Sequence, residues 1–147
     1  MSGAVAHNEI HVKVRPSKVF EVLADPQSYA TWVVGSKEVR GADSTWPAKG
    51  TRFHHTVGIG PLNVKDHTSV EEVDPPRRLV LRTKVRPFAV ARVSLELRPE
   101  RGGTRVTMEE YAIGGPASKI YGFCADLLMK GRNAEALRRL KALAETG

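Results

Sequence analysis

The chain has 147 residues, 41% of them hydrophobic, which suits one domain (residues 1–147) with a real core and excludes a disordered tail. Its formal net charge is +7, but the basic residues are spread along the chain and aromatics make up only 6%. That pattern reads as a solvated, arginine-rich surface and argues against nucleic acid as the partner. The lone Cys124 excludes an internal disulfide, Met1–Ala6 does not read as a secretory leader, and no run approaches the roughly 18 apolar residues of a membrane span. The expectation is a soluble cytoplasmic protein, monomer or homodimer.

In chain order, residues 8–14 alternate polar and apolar, the period of a half-buried strand with Ile10, Val12 and Val14 inward. The period then changes. Val19, Phe20 and Leu23 follow Pro16-Ser17 at helical spacing, with proline suited to a first helical turn. Asp25-Pro26 ends that helix and opens a second, short one carrying Tyr29 and Trp32, with Asp25 as its cap.

From 36 to 111 the chain reads as strands joined by turns: 36–42, 50–57, 62–73, 78–85, 88–98 and 104–111. Gly58-Ile59-Gly60-Pro61, Asp74-Pro75-Pro76 and Arg101-Gly102-Gly103 mark turns between them. Such short connections imply antiparallel pairing, since a parallel crossover needs a dozen or more residues. Gly114-Gly115-Pro116 breaks the sheet and opens a helix predicted over 118–144, about 40 Å long. Ile120, Phe123, Cys124, Leu127, Leu128, Ala134 and Leu137 are read as its apolar stripe. Gly131 interrupts it, which implies a kink or a close packing partner at that turn.

The predicted class is therefore α+β: a curved antiparallel sheet of six to seven strands around a long C-terminal helix, with two short helices after the first strand. A bent sheet and one helix do not close completely, so a tunnel lined by inward strand residues is expected.

These features together resemble the START-like (SRPBCC) helix-grip superfamily, in its polyketide cyclase and dehydratase branch. Arg15-Pro16-Ser17 leading to Leu23-Ala24-Asp25-Pro26 is similar to that family's N-terminal helix pair. Val73-Asp74-Pro75-Pro76-Arg77-Arg78-Leu79 resembles its strand-turn-strand signature, and Gly102-Gly103-Thr104 with the long final helix completes the pattern. The resemblance implies a hydrophobic small-molecule ligand such as a lipid or polyketide, held in an internal cavity. It also implies the alternative of a cyclase or dehydratase acting by acid–base chemistry there. It carries over no catalytic residue, because the superfamily shares no catalytic motif.

Strand phase selects the candidates. With Phe53 inward, His55 is inward and His54 faces solvent, so the pair is not a ready metal site. Val64 and Val70 inward bring Asp66 and Thr68 with them and leave His67 outside. Val106 and Met108 inward bring Glu110. His55, Asp66 and Glu110 are thus the candidates for proton transfer near a substrate carbonyl. The expected ligand-binding set adds Phe53, Val93 and Met108 from the strands and Trp32, Tyr121, Phe123 and Leu127 from the helices. Tyr29 and Tyr121 are read as offering hydroxyl handles at the mouth. His7 and His11 read as surface residues, Cys124 as core, and no metal or cofactor is expected. Nucleophile elbows, phosphate loops and zinc motifs are absent from the sequence.

Overall fold

The computed structural model describes residues 6–87, 89–114 and 123–146. Among them, seven strands form one antiparallel sheet in the order β1-β7-β6-β5-β4-β3-β2. The strands are β1 (Ala6–Val12), β2 (Ser36–Ala42), β3 (Arg52–Ile59), β4 (Leu62–Asp74), β5 (Arg78–Val85), β6 (Ala89–Glu100) and β7 (Gly103–Gly114). Strands β2 to β7 are a meander of hairpins, and β1 closes the far edge by pairing with β7 from Ala6↔Glu110 to Val12↔Thr104. That pairing starts β1 two residues earlier than the alternation at 8–14 suggests. Register shifts within β2, at Val70/Glu72 of β4 and at Val90/Ala91 of β6 are the bulges that bend the sheet.

Between β1 and β2 run α1 (Pro16–Leu23), a 3₁₀ turn (Pro26–Ser28) and α2 (Tyr29–Trp32). Pro16 opens α1, and the Asp25 carboxylate accepts from the Gln27 backbone N–H at 3.0 Å, capping the next turn as its spacing anticipates. Helix α1 buries Val19, Phe20 and Leu23. Its exposed backbone end is closed from a distance: the Leu23 carbonyl accepts from the Tyr29 hydroxyl at 2.8 Å and the Trp46 indole N–H at 3.2 Å. These rings pack tilted and edge-on with Trp32 and Phe53 in one aromatic cluster, centroids 4.8–5.8 Å apart, which fixes α2 over the β2–β3 side of the sheet.

Helix α3 (Phe123–Thr146) buries Asn133, Ala136, Leu137, Leu140 and Ala144, a recurrence in threes and fours that gives one face. It lies along β1 and also touches α1 and α2. Polar bonds fix it at two points. The Asn8 side-chain amide donates to the Lys130 carbonyl at 3.0 Å, and the Lys13 backbone N–H donates to Glu145 at 2.8 Å. Full burial of a leucine stabilises by about 1.5–3 kcal/mol, so Leu137 and Leu140 against Val12, Leu97 and Val106 supply much of the grip.

Two sequence expectations about this helix need correcting. Leu127 and Leu128 do not belong to its buried stripe; they are 59% and 76% exposed. At about 100° per residue, nine positions separate Leu128 from Leu137 by half a turn, so they face opposite ways. Gly131 marks neither a break nor a packing contact: α3 runs through it, and a Cβ there would meet nothing within 4 Å. The expected helix start at 118–122, with Ile120 and Tyr121, lies outside the described residues, as do the side chains of Phe123 and Cys124.

Gly103 is the contrary case. A Cβ on it would sit 1.9 Å from the Val12 carbonyl oxygen, so the β1–β7 edge closes only around a glycine. Gly103→Ala is expected to destabilise by at least about 2–3 kcal/mol because rigid backbone must move. Gly131→Ala should stabilise by about 0.5–1 kcal/mol. Urea unfolding of the two variants checks both signs.

Candidate functional site

The concave face of the sheet is apolar because alternate residues of long strands point the same way. Phe53, Leu81, Val93 and Met108 come from four strands and face one space with Trp32 and Ala136. That space is a cavity of about 430 Å³. Among the described residues α3 follows the β1 edge, α2 packs on β2 and α1 packs on α3, β6 and β7, so the cavity is left between the concave face, α2 and the N-terminal half of α3. Its inner wall is buried, whereas Val34, Ser36, Val57, Val85, Ala89 and Met129 on its rim are only partly so. Among the described residues the mouth is therefore framed by the α2–β2 connection, the β3–β4 and β5–β6 hairpins and the first turns of α3.

The polar groups of the wall are few. Glu110 is buried on β7 and meets the helix: its Oε1 accepts from Asn133 Nδ2 at 2.9 Å and Arg132 Nη2 at 3.0 Å, and its Oε2 lies 3.3 Å from the same Arg132 nitrogen. A carboxylate taken into an apolar wall needs such donors, and Arg132 supplies the opposite charge. Thr68 and Thr83 face one another across β4–β5, hydroxyls 3.2 Å apart.

His55 differs from these. It is 3% exposed, and neither ring nitrogen has a hydrogen-bond partner among the described residues. Burial pushes its pKa below the ordinary imidazole value, so at neutral pH the ring is uncharged, with one N–H to donate and one nitrogen to accept. Trp32 Nε1, on the same wall, is likewise unpartnered. Leaving a buried polar group unmet costs about 1–3 kcal/mol, and both rings belong to residues that line one apolar space.

The sequence reading placed His55, Glu110, Trp32, Phe53, Val93 and Met108 on one wall, and the structure brings those six together. Asp66 is different. It pairs across from His55 in the β3–β4 register, but its carboxylate turns to Arg86 and does not line the cavity. Oδ2 accepts from the Arg86 backbone N–H at 2.9 Å and Nε at 3.0 Å, and Oδ1 from Arg86 Nη2 at 2.9 Å and the His67 N–H at 2.9 Å. Its role is to pin the β5–β6 hairpin to β4. Leu127 points to solvent and lines nothing, and the Tyr29 hydroxyl is committed to Leu23, leaving only its ring to the cavity. Tyr121 and the Phe123 side chain lie outside the described residues. Arg132 and Asn133 were missed; counting back from Leu140 and Leu137 in threes and fours reaches Asn133 and Met129, a signal hidden by their lower hydrophobicity.

A family model described as polyketide cyclase / dehydrase and lipid transport matches residues 4–145. The chain belongs to this family. No curated protein sequence matches the chain. Solved structures share the polyketide cyclase-like fold at low identity. A conserved protein from Geobacillus kaustophilus aligns with TM-score 0.73 and 18% identity over 94% of this chain and 93% of its own. The di-domain ARO/CYC StfQ of the steffimycin biosynthetic pathway aligns with TM-score 0.70 and 12% identity over 95% of this chain and 50% of its own. An AHSA1-like protein from Aeromonas hydrophila aligns with TM-score 0.63 and 18% identity over 99% and 93%. At such identities these likenesses establish the fold alone.

The Asp66 contact gives a pH dependence. Burial alone would raise this carboxyl, but Arg86 and the His67 N–H hold it down from 3.8 to about 2. A folded value below the unfolded one means that the contact stabilises fully above pH 3.8 and is lost as pH falls toward 2. Asp66→Asn is expected to lower stability by about 1–3 kcal/mol at neutral pH. In urea unfolding, the gap between variant and parent should close over that acid range.

Proposed function

We propose that the chain works as a single binding domain for a hydrophobic small molecule, held in the cavity between the sheet and α3. The observation that carries this reading is a largely apolar cavity of about 430 Å³ with the unpartnered His55 ring in its wall. Cavities of several hundred cubic ångströms with a few polar groups are suited to drug-sized ligands. Family membership, in a group whose description includes lipid transport, supports the same reading.

The wall also argues for the kind of ligand. Among the described residues the carboxylate on it, Glu110, is offset by Arg132, and His55 is uncharged. A ligand without net charge, largely apolar and bearing one hydroxyl or carbonyl oxygen, matches that wall. A small turn of the imidazole would let it donate to such an oxygen. The set combines Phe53, Val93, Met108 and Trp32 as apolar contacts with His55 as the polar one.

The second reading is a cyclase or dehydratase. It is favoured by the placement of a neutral imidazole and a carboxylate, His55 and Glu110, on one apolar wall, and by the cyclase half of the family description. In that case His55 would accept a proton next to a substrate carbonyl while Arg132 and Asn133 hold Glu110 in place. Turnover of a polyketone that survives replacement of both His55 and Glu110 removes this reading.

Displacement of a fluorescent fatty-acid probe tests the binding reading. Ala91→Trp, which fills the cavity from β6, should abolish probe binding while the far-ultraviolet circular dichroism stays native. His55→Phe should weaken an alcohol or ketone ligand by about tenfold, the loss of one hydrogen bond, and leave its hydrocarbon analogue unchanged. Undiminished probe binding by Ala91→Trp would place the ligand elsewhere.

A further inference from the structure

The large apolar side chains left exposed among the described residues are Leu62, Leu127 and Leu128, at 54%, 59% and 76%. All three lie at the end of the molecule where the cavity opens. Leu62 is in the β3–β4 hairpin, two residue pairs beyond Val57↔Val64. Strand alternation puts it on the concave side, in line with Val64 and Thr68, just past the cavity rim. Leu127 and Leu128 are on the first turns of α3, immediately before Met129 and Arg132, which line the cavity.

Cations lie at the same end, Lys65 and Lys84 on the convex face by the same alternation. Lys37, Lys65 and Lys130 are exposed, Lys84 is half-buried, and none of the four joins a salt bridge among the described residues. Lys37 lays its aliphatic chain over Gly58, where a Cβ would lie 2.7 Å from its Cε, so its ammonium is carried along the hairpin toward the tip. Of the acids nearby, Asp66 and Glu110 are buried and bonded to Arg86 and Arg132, and the exposed Glu38 accepts from the Thr56 hydroxyl at 3.1 Å. Elsewhere on the sheet's outer face several arginines are matched by acids: Arg82 and Arg92 share Glu71, and Arg78 lies near Glu72 and Glu96.

We propose that this end of the molecule docks on an anionic lipid bilayer, with the three leucines entering the headgroup boundary and the lysines resting on lipid phosphates and carboxylates. Exposed leucines flanked by lysines on flexible aliphatic stems are the elements of an interfacial binding surface. The placement also has a purpose that rests on the proposed ligand. A hydrophobic molecule that leaves the cavity through this mouth passes directly into an apolar phase without crossing water. The commitment is to a membrane because the leucines and the cavity share one opening; an acidic protein would explain the lysines alone.

The test is co-sedimentation with vesicles of phosphatidylcholine alone and of phosphatidylcholine mixed with phosphatidylserine. The expected result is binding to the mixed vesicles, weakened by added salt. Replacing Leu62, Leu127 and Leu128 together by serine should reduce that binding at least about tenfold. Replacing Lys37, Lys65 and Lys130 by glutamine should reduce it by one to two orders of magnitude, roughly. Since these side chains are exposed, both variants should keep the parent's unfolding midpoint and its probe affinity in solution. Probe binding without any vesicle binding overturns the docking proposal and leaves the ligand reading standing. Vesicle binding without probe binding does the reverse. Vesicle binding that the serine variant retains in full, or serine substitutions that instead split a dimer in sedimentation, would also overturn it, the latter making this face a contact between two copies.

Discussion

The alignment of α3 with the edge strand β1 is the constraint on which the rest depends. Asn8 holds the helix at Lys130, Lys13 holds it at Glu145, and Leu137, Leu140 and Ala144 fill the space between with core contacts. A helix fixed along one edge of a seven-stranded sheet does not cover its middle. At the other edge α2 packs on β2, and α1, which lies against α3, β6 and β7, is joined to it by the Tyr29 and Trp46 bonds to the Leu23 carbonyl. The void over β4, β5 and β6 follows from those two attachments, and the bulges that curl the sheet give it depth. Close-packed interiors rarely leave so much space, so a gap of this size is a property of the architecture rather than a defect in packing.

The polar groups around that void fall into two kinds. Asp66 and Glu110 are each bound by an arginine and by further donors, so both carboxylates are provided for within the protein. They contribute order: one pins a hairpin at the mouth, the other ties β7 to α3. His55 and Trp32 are not provided for in this way. Natural cores leave few such atoms unmet, and their concentration beside an apolar space is what distinguishes this wall from ordinary core. A like contrast holds on the surface: Arg78, Arg82 and Arg92 have acids beside them, whereas Lys37, Lys65 and Lys130 join no salt bridge among the described residues.

Much of the architecture was legible in the sequence because it rests on local signals. Alternation within each strand set its faces, so Phe53 carries His55 inward, Val106 and Met108 carry Glu110, and Val93 follows from the alternation of its own segment. Proline, glycine and Asp25 marked the element ends. What was not legible depended on contacts between distant segments. Nothing near Asp66 in sequence announces Arg86, which reaches it across a neighbouring hairpin and removes it from the cavity wall. The Tyr29 hydroxyl looked like a ligand handle until Leu23, the end of another helix, was found to take it. The face of α3 was misread because leucines at 127 and 128 outweigh Met129 and Asn133 in any hydrophobic reading. Only the continuation of the stripe from Leu137 and Leu140 selects the other face. Leu127 and Leu128 face solvent instead.

The central claim is that an unfilled apolar space lies between Phe53, Val93, Met108 and α3. A crystal structure determined under xenon pressure tests it most directly, since xenon enters dry apolar cavities and scatters strongly. The account expects one or more xenon atoms in contact with Val93 and Met108, or a co-purified ligand in their place. Continuous side-chain density across that region, with α3 moved onto β5 and β6 and no xenon bound, would contradict it.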